Sequence, residues 1–402
     1  MPEQYETDHA GTPVVSAVIP CLNEEITIGI CIEKALSSFR TMGLAGEVVV
    51  ADNGSTDRSV EKARELGARV VVETVKGYGA ALRRGIKEAR GKIIVMGDAD
   101  DSYDWSDIGP LVNKVLDGYD LVMGNRFRGG IMKGAMPKLH RYVGNPVLSF
   151  IARIAFRVDI GDFHCGMRAF TRAAFERMQP TSTGMEFATE MIANAAHQRL
   201  RIAEVPILLH RDKRGRPPHL RSFRDGWRHL RFILTYAPDH VYLIPGALLL
   251  GAGLLLEALL ARGPVMIRGH YMGIHFIALG SLITLAGFNI INLGILAKAI
   301  MARRYAGLRS RTIRLIRHRF ALEMGLVAGV ILMAVGATSD AVIAGTWLRK
   351  LGAPMDSTVH PAFVATTVFV LGLNLVFSSF LLNLILADMP ADAIGSDRSG
   401  SV

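Results

Sequence analysis

IIVMGDADDSYDW (93–105) joins an apolar run to an acidic loop. Four successive branched or long apolar residues, Ile93 to Met96, have the composition of a strand buried on both faces, and Asp98, Asp100, Asp101 and Asp104 follow at once. In open α/β sheets ligands bind in the crevice outside the carboxyl ends of the strands. Asp98 and Asp100 are separated by one small residue, Ala99, so their carboxylates can converge on a hard divalent cation, the kind that joins carboxylates to substrate phosphates. The stretch predicts an α/β fold with a phosphate-bearing ligand. Asp-rich turns also cap helices, and 105–116 has helical composition, so Asp104 as a plain N-cap is a competing reading.

Outward from this loop, short β-rich runs at 14–19, 48–51, 70–72, 93–96 and 121–124 alternate with helical patterns at 25–40, 59–66, 79–89 and 105–116. That alternation predicts a mostly parallel sheet covered by helices on both faces, a Rossmann-like α/β domain. The first strand ends in IPCLNEE (19–25) and the second in DNGSTD (52–57), so both place acceptor groups at the same edge as Asp98. Glu24 and Asp52 could receive hydrogen bonds from a base and ribose while Asp98 and Asp100 face a pyrophosphate. Taken singly, each stretch is also readable as a cap or a tight turn.

The second half has another character. Segments near 241–261, 272–297, 322–344 and 363–387 are apolar all round and long enough to cross a bilayer. Between the middle pair, Arg303, Arg304, Arg309, Arg311, Arg314, Arg317 and Arg319 occur with no acidic residue, which places that connector in the cytoplasm. The N-terminal domain then lies on the same side, and so does the C-terminal tail. Just before the spans, 220–236 sets Phe223, Trp227, Leu230 and Leu234 against Arg221, Arg224, Arg228 and Arg231 at helical spacing. It reads as a helix lying in the membrane surface, with an amphipathic helix packed on the α/β domain as the alternative. The expected organisation is a disordered lead at 1–13, the α/β domain at 14–219, an amphipathic membrane-interface segment at 220–239, four transmembrane helices at 240–388 and a tail at 389–402.

Composition agrees with that division. Half of the 402 residues are hydrophobic and the mean hydropathy is +0.29, too apolar for an ordinary water-soluble enzyme. The net charge of +10 sits beside apolar segments, which points to anionic lipid and not to nucleic acid. Three cysteines, Cys21, Cys31 and Cys165, have no metal-ligand spacing and form no disulfide framework, and the first thirteen residues lack the apolar core of a secretory signal.

As an ordered set, IPCLNEE (19–25), ADNGSTD (51–57), KGYGAALRRGI (76–86), MGDADDSYD (96–104), MGNRF (123–127), CGMRAF (165–170) and AEVPI (203–207) resemble the inverting GT-A glycosyltransferases of family 2, of the dolichol-phosphate-mannose synthase type, and their bacterial relatives, the polyprenyl-phosphate glycosyltransferases with C-terminal membrane helices. The resemblance spans the first half of the chain; the membrane half matches in arrangement. It implies transfer of a hexose from a nucleotide sugar, UDP-glucose or GDP-mannose being typical, to the phosphate of a dolichyl or undecaprenyl lipid, with Mg2+ or Mn2+ as cofactor. The setting would be a bacterial or archaeal inner membrane, and a homo-oligomer is compatible with it. Carried over by position, Pro20, Asn23, Glu24, Asp52, Lys76, Asp98, Ala99 and Arg126 would bind the nucleotide sugar, with Asp98 and Asp100 holding the metal. Arg126, Arg141, Asn145 and Arg211 would surround the acceptor phosphate, Asp100, Arg126 and Arg211 would be catalytic, and Arg168 and Glu190 would border the sugar.

Two departures stand out. Ser102 replaces a frequent Gln, which leaves a third metal ligand open between Asp101 and Ser102, and DKRGRPPHLRSF (212–223) replaces the usual Gly-x-Ser-Lys-Leu after the final arginine. Other readings have sequence tests of their own. A processive polysaccharide synthase would carry Gln-x-x-Arg-Trp after the acidic loop, and a haloacid-dehalogenase-type phosphatase would place its aspartates after the first strand. A dinucleotide site would need a glycine at Leu82. A transporter with a degenerate nucleotide-sugar domain would use Asn289, Asn292, Asn374 and Asn383 to line a path, whereas asparagines in spans also join helices by hydrogen bonds.

Overall fold

VSAVIPC and the VVVA centre of GEVVVAD are apolar or small on both alternating sets of positions, which suits the centre of a sheet that is covered on both faces. They form β1 (Val15–Cys21) and β2 (Gly46–Asp52), and Val15, Ala17, Val18, Ile19, Val49 and Val50 are fully buried. The structure is a computed structural model that describes residues 12–213, 222–304, 322–349 and 356–387. It divides into two compact units, Met1–Tyr236 and Ala237–Val402. The expected N-terminal lead up to residue 11, the tail, and most of the arginine-rich connector and of the segment after Lys213 lie outside the described residues.

In the first unit β1 and β2 are followed by β3 (Arg69–Val72), β4 (Ile93–Met96), β5 (Leu121–Asn125), β6 (Arg168–Thr171) and β7 (Ile202–Pro206), in the order β3-β2-β1-β4-β6-β5-β7. All neighbours are parallel except β6, which runs antiparallel between β4 and β5. Cys21 is level with Asp52, and Val18 is level with Met96, so β1, β2 and β4 deliver their following loops to one edge. The five expected strands are present; β6 and β7 overlap the CGMRAF and AEVPI motifs.

The helices are α1 (Ile28–Met42), α2 (Ser59–Glu65), α3 (Tyr78–Glu88), α4 (Gly109–Leu116), α5 (Arg126–Gly129), α6 (Asn145–Phe156), α7 (Arg172–Met178) and α8 (Phe187–His197). Helix α3 comes close to the sheet through Gly85, where a β-carbon would lie 2.6 Å from Val18 and 3.1 Å from Ala51. The expected helix at 105–116 opens as a short 3-10 turn, Trp105–Asp107, capped by the Asp104 carboxylate on the backbone N–H of Ser106 at 3.1 Å. The capping reading therefore holds for Asp104. The three thiols are buried and free, and burial pushes Cys21 up to about 11 and Cys165 to about 12, so both stay protonated.

Helix α9 (Ser222–Thr235) belongs to the first unit and has two apolar sides. Phe232, Ile233 and Tyr236 are buried, while the His229 ring bonds to Thr189 at 3.0 Å and lies 4.7 Å from the His164 ring. On the other side Trp227 is 60% exposed and Leu234 is 36% exposed. Packing on the α/β domain thus uses a different stripe from the one that includes Trp227 and Leu234.

Among its described residues the second unit contains four helices long and apolar enough to span a membrane: α10 (Ile244–Leu260), which the π-helical turn Asp239–Leu243 extends to a span of Asp239–Leu260, α11 (Ile274–Arg304), α12 (Leu322–Arg349) and α13 (Asp356–Ala387). A small hairpin, β8 (Val265–Ile267) with β9 (His270–Met272), joins the first two. Glycines let the helix backbones touch: a β-carbon on Gly253 of α10 would lie 2.4 Å from the Thr284 nitrogen of α11, and one on Gly372 of α13 would lie 2.6 Å from the Gly329 oxygen of α12. Asn374 donates to Asn289 at 3.2 Å, the helix-joining use of asparagine. Glu257 is buried and accepts from Thr367 at 2.9 Å.

One carboxylate ties the far end of the sheet. Glu47 accepts from the Ser16 hydroxyl at 2.8 Å, the Arg90 N–H at 2.6 Å and Arg69 at 2.9 Å, joining β1, β2, β3 and the exit of α3. Burial alone would raise its pKa, but these donors, the Arg90 N–H foremost, outweigh burial and hold it below the ordinary glutamate value. A depressed folded-state pKa gives stability that is present above the unfolded value of about 4.3 and lost as pH falls through the folded one. Glu47→Gln should cost ~1–2 kcal/mol at neutral pH and flatten the loss of thermal stability below pH 5, as read from melts across a pH series.

Candidate active site

The turn after β2 folds on itself. Asp52 accepts from the N–H groups of Gly54 at 3.0 Å and Ser55 at 3.1 Å, and Asp57 caps α2 through the Ser59 N–H at 3.0 Å. Asn23, at φ 57°, accepts from the Thr56 N–H at 2.7 Å, and its own N–H donates to the Ser55 hydroxyl at 2.9 Å. Glu24 is buried and donates its N–H to the Ser59 hydroxyl at 2.7 Å. The loops after β1 and β2 are therefore laced into one surface holding Pro20, Asn23, Glu24 and Asp52. Lys76 joins them by donating to the Asn53 carbonyl at 2.7 Å.

Asn53 was not singled out in the sequence, yet it organises the next stretch. Its amide donates to the carbonyls of Glu73 at 2.9 Å and Val75 at 2.8 Å, and its side-chain oxygen accepts from the Gly77 N–H at 2.7 Å. Gly77 has φ +140°, and a β-carbon there would lie 2.2 Å from the Thr183 oxygen, so only glycine fits. The chain then enters α3 with Tyr78, whose hydroxyl donates to Asp98 at 2.8 Å. Burial, and then the adjacent Asp98 carboxylate, pushes the Tyr78 hydroxyl well above the usual range, so it acts as a neutral donor.

Asp98 follows β4, with its carbonyl receiving the Trp105 indole N–H at 3.0 Å. A β-carbon on Gly166 would lie 2.9 Å from its second carboxylate oxygen, so glycine leaves space there. Asp100 is 8% exposed and accepts from the Ser102 N–H at 3.0 Å. Among the described residues no group of three or more His, Cys, Asp or Glu is placed to hold a metal. Two carboxylates across Ala99 are an oxygen-only donor set, suited to a hard cation that fills its other positions with water and substrate phosphate. The Asp101 carboxylate lies between Lys34 at 2.8 Å and Lys213 at 2.6 Å.

The basic residues divide. Arg126, at the end of β5, is buried in a two-pronged pair with Asp162, at 2.7 Å from Nε and 2.8 Å from a terminal nitrogen. Burial disfavours its charge, but Tyr103 and Asp162 more than offset that and hold the guanidinium well above its usual value. Asp162 is itself fixed, since Glu204 in the AEVPI motif accepts from the N–H groups of Gly161 at 2.8 Å and Asp162 at 3.0 Å. Arg211 is exposed, with Nε donating to the Lys133 carbonyl. Arg141 donates to the Ile131 carbonyl at 3.4 Å, and the Asn145 amide meets the Met136 sulfur at 3.5 Å.

Arg168 and Glu190 are inside the protein. Arg168 is fully buried and donates to the carbonyls of Ala188 at 2.7 Å and Cys165 at 2.5 Å, with burial pulling its guanidinium below the usual value. Glu190 accepts from Thr181 at 3.0 Å and Ser182 at 2.7 Å, fixing the loop whose Thr183 carbonyl accepts the Gly79 N–H at 2.9 Å. It thereby supports the start of α3, and Tyr78 with it. The sequence offered little sign of Tyr78, Asp162 or Glu204 as partners, since their roles come from contacts between distant segments. Asp162 had one signal, being a carboxylate next to the buried CGMRAF stretch.

A mostly parallel α/β sheet with an acidic pair after β4 and polar loops after β1 and β2 at the same edge, together with four long apolar helices among the described residues, has the make-up of a membrane-bound α/β enzyme. Residues 16–179 match the glycosyl transferase family 2 domain, and residues 295–386 match the glycosyltransferase family 2 C-terminal transmembrane region. A low-salt glycan biosynthesis hexosyltransferase of Haloferax volcanii is 40% identical over 371 residues, covering 92% of this chain and 88% of the relative. The chain belongs to glycosyltransferase family 2, and it is an integral membrane glycosyltransferase. A dolichyl-phosphate hexose transferase of the same organism is 33% identical over 196 residues, 48% of this chain and 81% of the relative. A solved glucosyl-3-phosphoglycerate synthase of Mycobacterium tuberculosis, in complex with Mn2+, UDP and glucosyl-3-phosphoglycerate, overlaps 56% of this chain and 78% of that one at 25% identity and a TM-score of 0.44.

Removing Asp162 leaves a buried guanidinium without its counter-charge. Asp162→Ala should lower stability by ~3–5 kcal/mol, measured by thermal unfolding in detergent.

Proposed function

We propose that this chain transfers a hexose from a nucleotide sugar, UDP-glucose or GDP-mannose, to the phosphate of a polyprenyl lipid, dolichyl or undecaprenyl, with inversion at the sugar. The observation that carries this reading is the single edge at which Asn23, Glu24, Asp52 and Lys76 adjoin Asp98 and Asp100, in a chain with four apolar spans. The named activities of the two Haloferax relatives, a hexosyltransferase and a dolichyl-phosphate hexose transferase, favour the same donor and acceptor classes.

A phosphate monoester has a second pKa near ~6, so the acceptor is substantially dianionic at neutral pH and attacks without a strong general base. The barrier then lies in bringing two polyanions together and in departure of the nucleotide diphosphate. Asp98 and Asp100 would hold Mg2+ or Mn2+, which would supply charge neutralisation at the diphosphate. Asn23, Glu24, Asp52, Lys76 and Pro20 hold the nucleoside, and Ala99 lets its backbone approach the sugar diphosphate. Arg126, Arg141, Asn145 and Arg211 receive the acceptor phosphate, with Arg126 and Arg211 countering charge as it develops. Arg168 and Glu190 contribute by holding the walls of the sugar pocket, through the carbonyls and N–H groups they bind.

The catalytic domain faces the cytoplasm in this reading, set by the arginine-rich connector. The Trp227 and Leu234 side of α9 meets the lipid headgroups, so the acceptor phosphate is presented near the membrane surface. The deciding experiment incubates purified protein in detergent with a panel of nucleotide sugars, undecaprenyl phosphate and Mg2+, and reads lipid products by mass spectrometry. A single mass increment of one hexose is expected; a folded protein that makes no glycolipid from any donor would overturn the proposal. Asp100→Asn should leave folding intact and lower glycolipid formation by ~100-fold or more.

A further inference from the structure

Two stretches depart from the family pattern, the acidic loop at Ser102, next to Asp101, and the segment that opens with Asp212 and Lys213 after Arg211, and the structure joins them to each other. Asp101 has φ 57°, a left-handed backbone conformation uncommon for a residue other than glycine. Its carboxylate is completely covered and bonds to Lys34 of α1 at 2.8 Å and to Lys213 at 2.6 Å. Each oxygen already has an ammonium partner, so a cation could be reached only by displacing one.

The backbone follows the same line. The Lys213 N–H reaches the Asp100 carbonyl at 3.4 Å, the His210 N–H donates to the Ser102 carbonyl at 2.9 Å, and Leu209 bridges to Tyr103 in antiparallel sense. Residues 209–213 therefore run against 100–103, with Arg211 between the two points of attachment and fixed sideways to Lys133. Lys34 is 29% exposed and anchors Asp101 from the helix; Lys213 is 56% exposed and closes from the surface.

We propose that Asp101 is a positioning residue and not a metal ligand: with Lys34 as anchor and Lys213 as clasp, it fastens the 209–213 segment, and so Arg211, onto the acidic loop. The segment that meets the acceptor phosphate is thereby held beside the carboxylates that meet the donor. This rests on the glycolipid reading of the site for its functional consequence; the clasp itself is a matter of geometry. A buried carboxylate between two ammonium groups is costly to strip of one, and the exposed partner is the one that can be replaced with least disturbance.

The test uses the full chain in detergent with Lys213→Met, Lys213→Arg and Asp101→Asn. Three quantities are measured: amide hydrogen exchange at 209–213, Mn2+ affinity by electron paramagnetic resonance with UDP present, and KM for undecaprenyl phosphate and for the nucleotide sugar. Lys213→Met and Asp101→Asn should both speed exchange at 209–213 and raise the KM for undecaprenyl phosphate ~5–30-fold, with Lys213→Arg close to the parent. Donor KM and Mn2+ affinity should stay unchanged. Weaker Mn2+ binding in Asp101→Asn alone would make Asp101 a ligand and overturn the proposal, as would unaltered exchange in Lys213→Met, or faster exchange with an unmoved acceptor KM. If the parent makes no glycolipid from any donor, the proposed function fails instead, and exchange and Mn2+ binding still decide the clasp.

Discussion

Parallel pairing of β1, β2 and β4 is the constraint from which the site follows. Parallel neighbours cannot be joined by a tight turn, so the chain must cross back over a face of the sheet before each new strand. Every such strand then ends at the same edge. Three otherwise unrelated sequences, IPCLNEE, DNGSTD and GDADDSYD, are brought side by side because their strands share a direction and a register. The strands stay together because they are buried on both faces, and that burial is also why their polar residues lie toward the strand termini.

The parts of this arrangement that were legible in the sequence are those encoded locally. Buried central strands read as continuous apolar runs, and the acidic loop after Ile93 to Met96 could be placed at a strand end without a structure. β6 was harder: Arg168–Thr171 is four residues long and opens on an arginine, a poor strand signal, and only its antiparallel pairing with β4 and β5 makes it one. Arg168 and Glu190 illustrate the other limit. A charged residue in a motif suggests contact with a ligand, but both are wholly buried and bound to the protein's own backbone, Arg168 to Ala188 twenty positions away and Cys165 three away, and Glu190 to a neighbouring loop. The capping and turn readings of Asp52 and Asp104 also proved physically real, and for Asp52 they coexist with a place at the site edge.

The membrane half is built on a different principle. In lipid there is little hydrophobic gain in bringing apolar helices together, so close backbone approach and hydrogen bonds must serve. Gly253 against Thr284 and Gly372 against Gly329 provide the first, and Asn374 with Asn289 and Thr367 with Glu257 provide the second. The Asn289–Asn374 pair accounts for two of the asparagines that would otherwise suggest a transport route.

The hydrogen bonds from the Gly77 N–H to Asn53, and from the adjoining Tyr78 to Asp98, make a continuous line from the end of β2 to the end of β4. Residues along such a line are not independent in the sense of a double-mutant cycle. A change at 73–77 that reshaped the nucleoside end would also move the hydroxyl that orients Asp98. Adaptation to a different nucleotide would accordingly proceed by paired substitutions at the two strand ends, so that recognition of the donor and orientation of the carboxylate evolve together.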